Sequence, residues 1–230
     1  MSPYNYSRLD QPEVLRVLFH PRPDSAGQPP SAATVDLEIE VAAGIRVHAR
    51  FHLDGADDPH ILFFHGNGET VADYDPVGPR YNAQGLNLLA VDYRGYGMSG
   101  GTPTVTSMLG DAHVILRETC QWLRDHNRRG PLLVMGRSLG CACALELAAA
   151  DNGALTGLII ESGFSTTLPL LLSLGVDVQA LAITEADGFR NLQKISLFTK
   201  PTYILHAQYD QLIPLANAEL LQSQSPAHSK

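Results

Sequence analysis

The stretch Leu132-Leu-Val-Met-Gly-Arg-Ser-Leu-Gly140 decides the fold of this chain, and a helical stretch from Cys141 to Ala150 follows it directly. Its four leading apolar residues are typical of a strand buried on both faces. Gly136 and Gly140 flank Ser138 at two residues on either side, which leaves room for a nucleophile on a tight strand-to-helix turn. A Gly-x-Ser-x-Gly pattern also occurs by chance in ordinary turns, but the strand before it and the helix after it favour a nucleophilic serine.

Other short apolar runs of the same kind occur along the chain, and a helical stretch with apolar residues from Met108 to Trp122 separates two of them. Alternation of such strands and helices predicts a doubly wound, mostly parallel α/β sheet. Two alternating segments predict an antiparallel hairpin that enters the sheet. The predicted hairpin strands are 35–41 and 45–53, and the predicted parallel strands are 61–64, 86–91, 132–135, 155–160 and 202–205.

The domain prediction is an N-terminal arm with a proline-rich linker over residues 1–32 and one α/β domain over residues 33–230. Four of the fifteen prolines lie between Pro21 and Pro30, a density that disrupts helices and strand pairing. We therefore expect the core to start near residue 33. Residues 162–198 are too long for a simple connection between two buried strands, which predicts an inserted cap.

Composition excludes several classes of function. The net charge is −8 and the chain has no long basic run, so nucleic acid is not an expected partner. No apolar stretch is long enough to span a membrane, and the N-terminus lacks the pattern of a secretory signal, which predicts a cytoplasmic protein. The three cysteines do not predict a disulfide or a metal site. Neither a dinucleotide fingerprint nor a phosphate loop is present, so no cofactor is expected.

A second motif, His65-Gly-Asn-Gly68, follows the predicted strand 61–64. Its glycines let the backbone turn over the sheet edge and expose an N–H group. We expect the amides of Asn67 and Leu139 to form an oxyanion hole beside Ser138. A plain turn at a strand end is the alternative for this motif.

Four motifs, taken in their order along the chain, resemble those of the α/β-hydrolase superfamily, close to its small bacterial esterase and depalmitoylase-like branch. The resemblance covers about residues 35–223. The other two motifs are Asp92-Tyr-Arg-Gly-Tyr-Gly-Met-Ser-Gly100 and His206-Ala-Gln-Tyr-Asp210. The resemblance implies a serine hydrolase with Ser138 as nucleophile and Asp210 as the acid of a triad, with Glu161 as a second possible acid. It also implies a structural role for the turn Asp92–Gly100, in which Asp92 and Arg94 are expected to pair with each other. Asp210 as an ordinary loop carboxylate is the alternative.

The chain departs from the family pattern in its last twenty residues. A helix predicted over residues 214–224 leaves no room for a further strand and the family's catalytic histidine, so we expect both to be missing. His228 is the only histidine after Asp210, and it falls where that strand would begin. His65 and His206 resemble residues that order loops, and His20 is expected on the surface.

Two functions follow from these features. The first is hydrolysis of an acyl ester, thioester or amide of a small molecule, and the alternative is a catalytically impaired binding or sensor protein on the same scaffold. The leucine-rich stretch 168–174 either lines the underside of a cap that favours an acyl chain or packs the cap onto the body. We also expect residues 202–205 to form a bare sheet edge that promotes self-association.

Overall fold

A computed structural model describes residues 4–24, 31, 33–150 and 153–227. They form a seven-stranded sheet with strand order β1-β2-β4-β3-β5-β6-β7. His228 lies outside the described residues, as does most of the proline-rich part of the predicted arm. The strands are β1 (Thr34–Ala42), β2 (Ile45–His52), β3 (His60–Phe64), β4 (Asn87–Val91), β5 (Leu132–Arg137), β6 (Gly157–Glu161) and β7 (Thr202–Leu205).

Strand pairing confirms the predicted fold class. The hairpin β1–β2 is antiparallel, with Val35 opposite Phe51, and β2 also pairs antiparallel with β4. The pairs from β4 through β3, β5 and β6 to β7 are all parallel. The carboxyl ends of these strands therefore meet at one edge of the sheet, which is where ligands bind in open α/β sheets.

Seven α-helices are described, and those expected from the apolar spacing are among them. Strand β5 is followed by a 3₁₀ turn, Ser138–Gly140, and then by a helix whose residues are almost all buried. The cap predicted over residues 162–198 contains two short helices and a 3₁₀ turn. The helices are α1 (Pro12–Leu18), α2 (Gly78–Asn82), α3 (Val105–Asp125), α4 (Cys141–Ala149), α5 (Thr167–Ser173), α6 (Asn191–Ile195) and α7 (Ala216–Gln224).

The N-terminal segment contributes to the main hydrophobic core. Tyr6, Leu9 and Phe19 are buried in it, together with Val14 and Leu18 of α1. Val14 and Leu18 are four residues apart and so lie on one face of the helix. The expectation that the core starts near residue 33 is therefore wrong, because this short amphipathic helix buries an apolar face long before the hairpin.

A buried polar network joins the N-terminal segment to the helices behind the sheet. Glu146 of α4 accepts a hydrogen bond from Tyr6 Oη at 2.7 Å, and its other oxygen lies 3.2 Å from His113 Nε2. Lys194 of α6 places Nζ 2.7 Å from Glu146 Oε2, with both side chains almost fully buried. Burial lowers the pKa of Lys194, and the Glu146 carboxylate opposes this shift. The pair thus connects the cap to the helix that follows Ser138.

Replacing Lys194 should cost considerable stability. Lys194→Met leaves the buried Glu146 carboxylate without its cation, so we expect the free energy of unfolding to fall by about 3–5 kcal/mol. Urea unfolding at neutral pH measures it. Adding Glu146→Gln, which removes the stranded charge, should recover part of the loss. Equal stability of Lys194→Met and the parent would contradict the importance of the pair.

Strand β7 lies at one end of the described sheet. Tyr203 and Leu205 are 58% and 45% exposed, and residues two apart on a strand face the same side. The self-association prediction depends on an unpaired strand edge and on exposed apolar side chains, and β7 has both within the described sheet.

A charge on this strand should therefore weaken any self-association. We expect the parent to associate at micromolar concentration and Tyr203→Lys to remain monomeric in sedimentation velocity experiments. Met98→Lys is the matched control, because Met98 is also about half exposed but lies in the turn after β4. A monomeric parent would contradict the prediction.

Candidate active site

Ser138 lies on a tight turn that requires glycine two residues before it and two residues after it. It follows β5 directly, and its φ of +49° is in the left-handed region. A Cβ on Gly136 would lie 2.4 Å from the Gly140 carbonyl oxygen, and a Cβ on Gly140 would lie 2.0 Å from the Phe64 carbonyl oxygen. A strained backbone of this kind persists only where its surroundings enforce it. The predicted strand-to-helix turn is therefore present.

Two buried cysteines follow this turn on α4. The thiol of Cys141 donates to the Gly136 carbonyl at 2.9 Å, which braces the turn from the helix side. Burial raises the pKa of the Cys141 and Cys143 thiols, so neither is a reactive thiolate. None of the three cysteines forms a disulfide with another described residue.

The first loop, His65-Gly-Asn-Gly68, is ordered by the ring of His65. The ring is fully buried, with Nε2 3.1 Å from Asp92 Oδ1 and Nδ1 2.8 Å from the Gly66 carbonyl oxygen. Burial acts to raise the pKa of Asp92, but contacts with His48, His65 and the Val71 amide outweigh it and lower the pKa. His65 therefore has the loop-ordering position expected for it.

The expected partnership of Asp92 with Arg94 is wrong. Arg94 instead forms a two-point ion pair with Asp111 of α3, with N–O distances of 2.7 and 2.6 Å. The side chain of Asp92 points to the buried histidines and to the Val71 amide, which donates to it at 3.0 Å. Residues two apart can diverge in this way because the backbone turns directly after β4.

Asn67 connects the first loop to the N-terminal segment. Its Oδ1 accepts from Tyr96 Oη at 2.7 Å and from the His20 backbone N–H at 2.8 Å. These two donors fix the orientation of the amide, so Nδ2 donates to His20 Nδ1 at 2.7 Å. A neutral His20 ring therefore carries its proton on Nε2.

One cavity of about 340 Å³ brings three of the four predicted site residues together. Ser138, Leu139 and Asn67 all line it. Its remaining walls come from the N-terminal segment, the first loop, the cap and the segment after β7: Val17, Leu18, His20, Gly66, Glu69, Arg137, Phe164, Leu170, Leu174, Leu212 and Ile213. A larger groove of about 790 Å³ between the hairpin and α3 contains none of the predicted site residues.

Asp210 lies behind one wall of this cavity rather than on its surface. Its Oδ1 accepts from the Leu212 and Ile213 backbone N–H groups at 3.0 and 2.8 Å. His206 Nε2 lies 3.9 Å from Asp210 Oδ2 and 2.7 Å from the Ile213 carbonyl oxygen. Asp210 thus shapes the turn that carries two lining residues, and its role as a triad acid stays a prediction.

Sequence reasoning gave no role to several cavity residues. Val17, Leu18 and His20 belong to the predicted arm, Glu69 follows the first loop motif, and Arg137 lies within the nucleophile motif. The others are Phe164, Leu212 and Ile213. The four-residue spacing of Val14 and Leu18 was the available signal for a packed helix in the arm. No local pattern identifies His20, because its partner Asn67 is 47 residues away.

Comparisons with known proteins agree with this geometry. Residues 55–183 match the family model Hydrolase_4, described as serine aminopeptidase, S33. The chain belongs to this family of the α/β-hydrolase superfamily. It is 27% identical to protein bem46 of Schizosaccharomyces pombe over 71% of this chain and 55% of that protein. It is 30% identical to human alpha/beta hydrolase domain-containing protein 17B over 68% of this chain and 52% of that protein.

The chain therefore spans about half the length of these two relatives. Among solved structures, the fold is similar to that of the Pyrococcus furiosus esterase Pf2001, with a TM-score of 0.69 and 17% identity. That alignment covers 92% of this chain and 85% of the esterase. At this identity the likeness concerns the fold.

The described residues contain neither a candidate membrane span nor a metal-type cluster of side chains. No helix among them has both the length and the apolar content to cross a lipid bilayer. Within the same part of the chain, no three or more His, Cys, Asp or Glu side chains are grouped as a metal site.

Proposed function

We propose that this chain is a serine hydrolase that cleaves a small acyl ester, thioester or amide through an acyl-enzyme on Ser138. The observation that carries the proposal is the placement of Ser138 on a strained, glycine-restricted turn that opens into the same cavity as Asn67 and Leu139. Membership of a hydrolase family supports it. The esterase with a similar fold also supports it.

The proposed reaction starts with attack of Ser138 Oγ on the acyl carbon, which forms a tetrahedral oxyanion. The backbone amides of Asn67 and Leu139 would donate to that oxygen. Collapse breaks the bond to the leaving alcohol, thiol or amine, which takes up a proton, and water then hydrolyses the acyl-serine. A histidine base would take the Ser138 hydroxyl proton and pass it to the leaving group, and Asp210 is proposed as the carboxylate that orients this imidazole and stabilises the imidazolium that it becomes.

The described histidines do not supply that base in the arrangement seen. His20 is the only one of them that lines the cavity, and its Nδ1 is occupied by Asn67 while its proton lies on Nε2. His65 and His206 are held by backbone carbonyl groups. A serine hydrolase that lacks its base still accelerates the reaction roughly 10³–10⁴-fold over the reaction in water, through the oxyanion hole and substrate binding. The second candidate is the impaired binding or sensor protein, which would keep Ser138 and the cavity without turnover.

An apolar acyl group fits the cavity walls. Leu170 and Leu174 of the leucine-rich stretch line the cavity, whereas Leu171 is fully buried in the core, so the stretch both lines the cavity and packs the cap onto the body. A second cavity of about 310 Å³ shares Phe164, Leu170, Leu212 and Ile213 with the first. These four apolar residues are common to the walls of both cavities, and the second one, which Ser138 does not line, is called the distal cavity.

Labelling with a fluorophosphonate tests the nucleophile. We expect one covalent adduct on the parent, and no adduct on Ser138→Ala because the reacting oxygen is gone. Ser196→Ala is the control, since Ser196 is exposed and its hydroxyl contacts only a neighbouring carbonyl among the described groups. Intact mass and peptide mapping locate the adduct. Equal labelling of the parent and Ser138→Ala would refute the proposal, and a labelled parent without turnover would favour the impaired protein.

A bulky residue in the distal cavity should discriminate between acyl chain lengths. Ala216 lines only the second cavity, so Ala216→Phe should leave labelling by a butyl fluorophosphonate unchanged. Labelling by a dodecyl fluorophosphonate should slow by about 10-fold, the effect on rate expected when an apolar pocket loses its contacts with one or two methylene groups. Ala180→Phe, at an exposed position of the cap, is the control. Equal slowing for both chain lengths would contradict an acyl path through the second cavity.

A further inference from the structure

The carboxylate of Glu69 contacts both segments that carry the proposed oxyanion donors. Its Oε2 accepts from the Gly66 backbone N–H at 2.7 Å and from Tyr74 Oη at 2.7 Å. Its Oε1 lies 2.9 Å from Arg137 Nη1. Gly66 directly precedes Asn67, and Arg137 directly precedes Ser138. One side chain thus connects the first loop to the nucleophile turn.

The fit of this carboxylate against the loop is close. A Cβ on Gly66 would lie 3.0 Å from Glu69 Oε2, tight enough that the carboxylate would have to shift slightly. The hydrogen bond is charge-assisted, which makes it stronger than one between neutral groups. This bond fixes the peptide plane between His65 and Gly66, and only the two backbone dihedrals of Gly66 separate that plane from the next peptide, whose N–H is that of Asn67.

The charge of this carboxylate is compensated by its partners. Burial acts to lower the pKa of Arg137, but the charge of Glu69 and other contacts outweigh it and raise the pKa, so the guanidinium stays charged. Burial together with Glu69 raises the pKa of Tyr74, so its phenol stays protonated and keeps donating. A carboxylate without these partners would repel the negative charge that develops on the substrate oxygen.

We propose that Glu69 is a positioning residue of the oxyanion site and that Arg137 is its counter-ion. Glu69 holds the Gly66–Asn67 segment in register with the Ser138 turn, and Arg137 cancels a charge that would otherwise oppose the oxyanion. The inference rests on the proposed function, since it needs a reaction at Ser138. It adds Glu69, which lies outside the motifs, and gives a role to Arg137, an unassigned position of the nucleophile motif.

The inference predicts different results for two substitutions of Glu69. Glu69→Ala frees the Gly66 amide, so we expect the second-order rate of fluorophosphonate labelling to fall about 10²-fold, as when an oxyanion donor is lost. Glu69→Gln keeps an oxygen that accepts from Gly66 and should lose less. Glu118→Gln is the control, because Glu118 is exposed and pairs only with Arg117 among the described charges.

The counter-ion role predicts a non-additive result. Arg137→Met leaves the Glu69 charge uncompensated and should slow labelling, but the double variant with Glu69→Ala should be no slower than Glu69→Ala alone. Additive losses would contradict the assigned role of Arg137. Thermal melts identify any variant that is slow because it is unfolded, and Glu69→Gln, which keeps the side-chain shape, serves where Glu69→Ala does not fold.

A pair of inhibitors separates positioning from a general structural role. A trifluoromethyl ketone adds to serine as a tetrahedral anion, whereas the matching methyl ketone binds as an uncharged ground-state analogue. We expect Glu69→Gln and Glu69→Ala to weaken the first and leave the second nearly unchanged. Equal weakening of both, or parent rates in Glu69→Ala, would overturn the inference alone. A parent that is not labelled at Ser138 would instead refute the proposed function, and the inference would fall with it.

Discussion

The close approach of the Ser138 turn to the end of β3 is the constraint on which the site depends. With no side chain at Gly140, its Cα packs against the Phe64 carbonyl, where a Cβ would lie only 2.0 Å from the oxygen. This contact brings the start of α4 beside the residues that follow β3. Since β3 and β5 are parallel neighbours, the loops after both strands emerge at the same sheet edge. The nucleophile and the first loop therefore face one space.

The polar contacts around that space hold the first loop from two sides. Glu69 fixes the Gly66 amide from the side of Arg137, and His20 fixes the Asn67 side chain from the N-terminal segment. A glycine-rich loop has many accessible conformations, and restricting it costs conformational entropy. Bonds at both ends of the Gly66–Asn67 pair offset that cost. The loop thus has a defined shape before any ligand binds.

Local sequence patterns predict the strands, the nucleophile turn and the residues that converge on the cavity. The reason is that glycine spacing, apolar runs and helix periodicity act over a few residues, and the strand order then places Ser138 and Asn67 together. The contacts that complete the site join residues far apart, such as Arg137 with Glu69 and Lys194 with Glu146. Nothing within a window of the sequence encodes these pairs. The N-terminal helix was missed because the proline-rich stretch after it suggests an unpacked arm.

The turn at Ser138 and the cavity walls differ in how much they can change shape, because different contacts hold them. The turn at Ser138 is fixed by backbone contacts that no side-chain rotation relieves, so its geometry is independent of what fills the cavity. The apolar walls, by contrast, are leucine and phenylalanine side chains from the cap and from the turn shaped by Asp210. These are held by packing, which tolerates changes of similar volume. Substitutions in the walls should therefore alter which ligand fits, while substitutions at Gly136 or Gly140 should disrupt the turn at Ser138.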